Sequence, residues 1–242
     1  MGLLKPTPQI SAVPCGYQMI VDPDAFTRTA AKFLARRLAA LTNMRHGSIA
    51  LSGGSTPGPI YRKISKHDGI NWSRLNIFFT DERMVSHNDP ESNYRLARET
   101  LLDRIPIPKE QIHPMPVAVR DGVTPACAYS KILPTSIDII VLGVGEDGHT
   151  ASLFAHSPAL KSKTLVEQTR SPLPPFERLS ITPQVIRNAQ LIVTLVKGPK
   201  KRLALHHGLS KKTSVDEWPV RIAKKGVWIV GRDVLKTPST KK

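Results

Sequence analysis

The chain has 242 residues, 40% of them apolar and 22% charged, which is ample for a buried core and excludes a disordered chain. The longest apolar stretch, Ile139–Gly145, is far short of the ~20 residues that span a bilayer. Thirty-five Lys and Arg against 19 Asp and Glu leave a net charge of +16, which points to an anionic partner without choosing among nucleic acid, membrane surface and acidic metabolite.

In chain order, the N-terminal MGLLKPTPQIS lacks the apolar run of a secretory signal, and Pro6 stands where myristoylation requires Ser or Thr. Cys15 and Cys127 are too few for a disulfide framework, and the expected compartment is the cytoplasm. Apolar residues at Phe26, Ala30, Phe33, Leu34, Leu38 and Leu41 predict a helix over Asp24–Asn43, N-capped by Asp22 or Asp24. A short strand follows at Ser48–Ser52, then the loop Gly53–Pro57 and a helix over Pro59–Ser65. Leu75–Phe79 is a buried-type strand ending in Thr80-Asp81-Glu82-Arg83. A helix over Ser92–Arg104, a short strand near Ile112 and a helix over Pro125–Leu133, with Cys127 in the core, lead to the strand Ile137–Leu142.

Beyond it the pattern predicts strands at Thr164–Gln168, Arg178–Thr182, Leu191–Val196 and Val227–Val230. Helices are expected at Pro183–Ala189 and Pro199–Leu209, with His206-His207 on the surface. Strand–helix alternation with continuous apolar strands argues for an α/β domain with a mainly parallel, helix-covered sheet, whose ligands sit beyond the carboxyl ends of the strands. No repeat or linker divides the chain, so one domain over 1–242 is expected.

Three polar motifs fall at those carboxyl ends. Ser52-Gly53-Gly54-Ser55-Thr56-Pro57 joins strand to helix, where glycines admit a ligand to the backbone and N–H groups bind a phosphate or carboxylate. It lacks the Lys-Ser/Thr of a Walker A loop. Gly143–Gly148 matches G-x-G-x-x-G between a strand and an expected helix, with Glu167 near the spacing of a ribose-binding acid. Glu146 and Asp147, however, would set carboxylates where a dinucleotide's pyrophosphate belongs. The same segment extended through His149 reads better as a catalytic turn. A histidine there is exposed at the ligand edge and suits general acid–base work, with Asp147 orienting it or binding a hydroxyl. Metal-ligand spacings and a G-x-S-x-G elbow are both missing from the sequence.

Together SGGSTP, TDER with Ser92-Asn93, GVGEDGHTASLF, ERLSITPQVIRNA and LIVTLVKGPKKRLAL resemble the 6-phosphogluconolactonases, in order over about residues 20–232. The family is grouped with the glucosamine-6-phosphate deaminases. The resemblance implies a three-layer α/β/α, Rossmann-like fold and hydrolysis of 6-phosphoglucono-1,5-lactone in the oxidative pentose phosphate pathway. It implies neither metal nor organic cofactor. By position, His149 resembles the family's general base, with Asp147 beside it, and Arg83 its substrate-facing arginine. Gly53, Gly54, Ser55 and Thr56 resemble its phosphate loop, with Asp81, Arg178 and Lys201 as further binding positions. Arg202 departs from the alanine that commonly follows that lysine, and Ala155 from a common proline.

Three other readings stay open at this stage. TDER in place of a DEY-type sequence argues against a glucosamine-6-phosphate deaminase, and the two carboxylates against a NAD-dependent oxidoreductase. A nucleic-acid-binding module would explain the charge, but only 5% of residues are aromatic and the lysine doublets Lys211-Lys212, Lys224-Lys225 and Lys241-Lys242 lack interleaved rings. The expected partner is therefore a phosphosugar lactone, with no nucleic acid and no membrane; monomer and dimer are both compatible.

Overall fold

A computed structural model describes residues 16–118 and 122–235. The N-terminal leader reading, Cys15 and Lys241-Lys242 lie outside the described residues. In chain order come β1 (Gln18–Val21), α1 (Pro23–Met44), β2 (Gly47–Leu51), α2 (Pro57–Ile64), β3 (Leu75–Phe79), β4 (Asp81–Arg83) and α3 (Asn93–Thr100). Next are α4 (Pro125–Ile132), β5 (Ile139–Leu142), β6 (Val166–Arg170), β7 (Glu177–Ile181) and α5 (Pro183–Arg187). Then follow β8 (Leu191–Val196), α6 (Arg202–Leu209) and β9 (Val227–Gly231).

Six strands form one sheet in the order β1-β9-β8-β5-β2-β3, parallel throughout. Its inner strands are buried at every residue, which is why GSIAL, IIVL and LIVTLV run nearly continuously apolar in place of alternating. The connections from β1 to β2 and from β2 to β3 run one way along the sheet; those from β3 to β5, β8 and β9 run the other. Right-handed crossovers therefore place α1 and α2 on one face and α5 and α6 on the opposite one. β2 and β5 are the neighbours whose outgoing connections part. They pair only at Ile49–Ile139 and Ala50–Ile140. A crevice opens beyond their carboxyl ends, where such sheets bind ligands. Among the described residues no helix is long and apolar enough to cross a membrane.

β4, β7 and β6 form a second, antiparallel sheet that the sequence pattern did not reveal. Thr80 joins the two sheets: its N–H donates to the Leu51 carbonyl at 2.9 Å, and its own carbonyl accepts from Ile181 N–H at 2.9 Å.

Several expectations need correction. No helix follows GVGEDGH; positive φ at Ala151 (49°) and His156 (61°) breaks the chain into turns. The strand near Ile112 is a single bridge to Ile77. The Ser92–Arg104 helix stops at Thr100 and resumes as a 3-10 turn, Leu102–Arg104. The helix from Pro199 also opens with a 3-10 turn. Cys127 is exposed, because α4 buries only Pro125 and Tyr129. Asp22 holds the N-cap position of α1 without a side-chain capping bond and pairs with Arg232 at 2.8 Å instead. His206 is exposed, but His207 stacks on Trp218 with ring centroids 4.2 Å apart.

Tyr129 shows how a polar atom is satisfied inside this core. Fully buried, its hydroxyl accepts from Phe79 N–H at 2.8 Å and donates to the His113 carbonyl at 3.1 Å. Tyr129→Phe strands the Phe79 N–H and is expected to destabilise the protein by about 1–3 kcal/mol. Urea unfolding checks this; a variant with the wild-type midpoint would show that the hydroxyl contributes nothing net.

Candidate active site

The loop after β2 is set by its backbone. The Tyr61 hydroxyl accepts from Ser52 N–H at 3.1 Å and donates to the Ser52 carbonyl at 2.9 Å, so α2 pins the start of its own entry loop. Gly54 takes φ +103°, a conformation that favours glycine. A Cβ at Gly53 would fall 1.8 Å from Asn93 Oδ1, so only glycine lets the loop lie against Asn93. Thr56 makes no side-chain cap, and because Pro57 and Pro59 have no N–H, the first three positions of α2 carry only the Gly58 donor.

β4 supplies the second wall. In an extended segment alternate residues share a face, so Asp81 and Arg83 line the cavity and Glu82 does not. Asp81 accepts from the hydroxyls of Thr80 at 2.9 Å and Ser152 at 2.8 Å, and its carbonyl accepts from Asn93 Nδ2 at 2.8 Å. Arg83 donates through Nη1 to the Glu91 carbonyl and lies 3.4 Å from the Glu91 carboxylate. Arg178 sits opposite Arg83 in the β4–β7 register and is itself buried. Burial first, then the like charge of Arg83, pulls its pKa below the ordinary arginine value.

The third wall is the turn after β5. Gly145 N–H donates to the His149 carbonyl at 2.8 Å, closing the turn, and Gly148 sits at φ +81°. His149 Nδ1 lies 2.6 Å from Asp147 Oδ1, which also accepts His149 N–H at 3.2 Å. A Cβ at Gly145 would stand 2.1 Å from that Nδ1, so the pair needs a glycine behind it. The His149 ring leans on Phe154 at 4.9 Å between centroids. Partial burial would raise the Asp147 carboxyl; the hydrogen bond and charge of His149 outweigh it and hold the carboxyl below the usual range. Since an ionised carboxylate only accepts, the Nδ1 atom carries the proton and Nε2 is left as the basic nitrogen.

These walls enclose a cavity of about 200 Å³ lined by Ser52–Pro57, Asp81, Arg83, Asn93, Gly143–Gly145, His149, Ala151 and Lys201. Of the residues expected from sequence, Gly53, Gly54, Ser55, Thr56, Asp81, Arg83, His149 and Lys201 meet here. Asp147 stands behind His149. Arg178 stands beside Arg83 without lining the cavity, and Glu167 is elsewhere, accepting from Ser162 and Thr164 hydroxyls. Lys201 is half-buried; burial lowers its pKa against the opposing pull of Glu146 and Asp147.

Asn93 is the wall residue that sequence reasoning did not single out, although its Ser92-Asn93 context was visible. Ser52 Oγ, Arg83 Nε, Asn93 Oδ1 and Arg178 Nε are buried without a hydrogen-bond partner. Such atoms are rare in folded interiors, and their gathering at and beside one cavity suits a polar ligand.

The family model for glucosamine-6-phosphate isomerases/6-phosphogluconolactonase matches residues 21–230. A 6-phosphogluconolactonase of a Synechocystis species is 37% identical over 194 residues, covering 75% of this chain and 79% of that protein. One from Mycobacterium tuberculosis is 32% identical over 244 residues, covering 92% and 98%. The crystal structure of the Thermotoga maritima 6-phosphogluconolactonase superposes with a TM-score of 0.80 at 25% identity, covering 89% of this chain and 99% of that one. With the family's motifs in order along the chain and gathered around one cavity, this chain belongs to the glucosamine-6-phosphate isomerase/6-phosphogluconolactonase family.

Proposed function

We propose that this chain hydrolyses 6-phospho-D-glucono-1,5-lactone to 6-phospho-D-gluconate, the reaction for which its relatives are named. The observation that carries the reading is the Asp147–His149 pair beside a glycine-rich loop in one polar cavity. Water is the nucleophile and His149 Nε2 its base. As the water oxygen bonds to C1, its proton passes to Nε2 and the carbonyl oxygen becomes an oxyanion. Collapse breaks the bond from C1 to the ring oxygen, which leaves with the proton that Nε2 had taken. Asp147 holds the ring and stabilises the imidazolium in between. Arg83 faces the oxyanion, where a donor placed in advance is worth most. General-base help of this kind contributes typically 10²–10⁴-fold, and positioning by a remote phosphate adds to it.

The phosphate belongs at Gly53–Thr56, where Gly53 and Gly54 bring backbone to the cavity without side chains in the way and Ser55 and Thr56 add hydroxyls. Lys201 lines the same space, whereas Arg178, paired beside Arg83 in the β4–β7 register, is not among the lining residues, which supports Lys201 as the cation that touches the phosphate.

His149→Ala should leave a folded protein that binds 6-phosphogluconate and has lost most of its kcat; near-wild-type turnover would remove the base from this scheme. In the wild type kcat/KM should fall on the acid side as the imidazole takes up a proton, since only the neutral ring accepts one from water.

Stability should respond to Asp147 with a definite sign. Its folded pKa lies below the unfolded value of about 3.9, so its contribution is present above that pH and is lost as pH falls through the folded pKa. Urea unfolding of wild type and Asp147→Asn from pH 6 to pH 3 should show a gap that closes only in the most acid samples. A gap independent of pH would mean that the carboxylate's charge is not involved.

Lys201→Ala should weaken kcat/KM for the phosphorylated lactone by about 1.5–3 kcal/mol, as for a hydrogen bond to a charged group, and leave unphosphorylated gluconolactone nearly unaffected. Equal losses on the two substrates would move the phosphate contact elsewhere.

A further inference from the structure

Glu82 lies between two cavity residues yet faces away from the cavity, and the residue is 1% exposed. Oε1 accepts from the backbone N–H of Arg83 at 2.7 Å and of Asn93 at 2.7 Å. Oε2 accepts from Tyr94 N–H at 2.8 Å and Ser92 Oγ at 3.1 Å. Four donors fill the acceptor capacity of one carboxylate. Two of them are first-turn N–H groups of α3, which lack intrahelical partners and attract negative charge. Burial pushes the Glu82 pKa up, and the N–H groups of Asn93, Tyr94 and Arg83 act against that.

The bonding pattern closes a loop. Arg83 opens the 83–92 excursion and Ser92 ends it, and Glu82 holds both ends at once. Glu91, one residue before the clamp, supplies the carbonyl that receives Arg83 Nη1. Asn93, just after it, reaches back to the Asp81 carbonyl at 2.8 Å. β4 is only three residues long, so its pairing with β7 alone is a short support for a side chain that must hold its aim.

We propose that Glu82 is the positioning residue for Arg83: by clamping the two ends of the 83–92 loop it brings the Glu91 carbonyl against the guanidinium and so fixes Arg83 toward the reacting carbonyl. The proposal rests on the lactonase reading. Glu82→Gln keeps the shape but turns an NH₂ group toward N–H donors. It should lower kcat for the phosphorylated lactone by about 10–100-fold, the span that misplacing a group by ~1 Å can reach. The dissociation constant of 6-phosphogluconate should stay within about threefold, because the loop Gly53–Thr56 and Lys201 are not touched.

The decisive measurement is a double-mutant cycle with Arg83→Ala. If Glu82 acts through Arg83, adding Glu82→Gln to Arg83→Ala costs little further activity. Full multiplication of the two losses, or unchanged kcat in a folded Glu82→Gln protein, overturns the proposal. Should Glu82→Gln fail to fold, Ser92→Ala removes one clamp bond, along with the α3 cap that Ser92 Oγ accepts from Arg95 N–H, and should show a smaller loss of kcat that also vanishes in the Arg83→Ala background; a loss that persists there overturns the proposal as well. A wild-type protein without lactone turnover would instead defeat the lactonase reading itself.

Discussion

Every polar group of Ser152 is bonded to a different strand of the second sheet. Its N–H donates to Ser180 Oγ on β7 at 3.2 Å, its carbonyl accepts from Thr169 Oγ1 on β6 at 2.9 Å, and its hydroxyl donates to Asp81 on β4 at 2.8 Å. The residue follows His149 by three positions, so these bonds fasten the turn that carries His149 to β4, the strand that carries Arg83. A parallel sheet alone ends at the crevice between β2 and β5 and offers loops with no fixed relation to one another. The three-stranded sheet supplies that relation. Thr80 ties it to β2, Ser152 ties it to the turn after β5, and Glu82 ties it to α3. In a low-dielectric interior each of these bonds is costly to leave unmade, so the three loops hold a common geometry before any ligand arrives.

The glycines follow from the same requirement. Gly53 and Gly145 stand where a Cβ would overlap Asn93 Oδ1 and His149 Nδ1 respectively. Neither needs a positive φ; what each provides is closeness of backbone to a functional side chain. G-x-G-x-x-G in this chain therefore serves a histidine–carboxylate pair and not a pyrophosphate. Asp147, which with Glu146 argued against a dinucleotide in the sequence, is the acid that pairs with His149, and the charge of Glu146 acts on Lys201.

What could be read from the sequence was decided by how local its cause is. The inner strands of the parallel sheet are buried on both faces, and an apolar run such as IIVL announces that without reference to a partner. The position of the site followed, because loops at strand carboxyl ends carried the polar motifs. β4 and β6 were less legible for the opposite reason. DER reads as a loop, and it is a strand only because β7 pairs with it across almost a hundred residues of chain. VEQTR mixes buried and exposed positions, and nothing within it says that its partner belongs to a second sheet. Arg178 resembled a phosphate-site arginine in the sequence; the structure buries it beside Arg83 and outside the cavity lining, a place that depends on the β4–β7 register and could not be read from RLSITP alone. Cys127 failed differently: α4 is a short helix whose burial falls on Pro125 and Tyr129, so an apolar composition did not fix which face turned inward.

The features that cost stability also gather at the cavity. Ala151 lines it with φ 49°, a left-handed conformation that disfavours a residue with a Cβ. Arg83 and Arg178, like charges in adjacent register positions, are held together while both Nε atoms go without partners. Asn93 keeps its amide nitrogen on the Asp81 carbonyl and leaves its oxygen unpaired, an orientation fixed by the fact that a carbonyl can only accept. Other polar atoms of the described core, such as the Tyr129 and Tyr61 hydroxyls, are fully paired, while Thr194 Oγ1, outside the cavity lining, is buried without a partner. Concentrated positive charge with unpaired donors is poor packing for an empty protein and suits a site that receives an anion. The stability withheld at these atoms is offset by the satisfied bonds of Ser152, Glu82 and Thr80 around them. That is how a site can stay rigid while remaining unsatisfied.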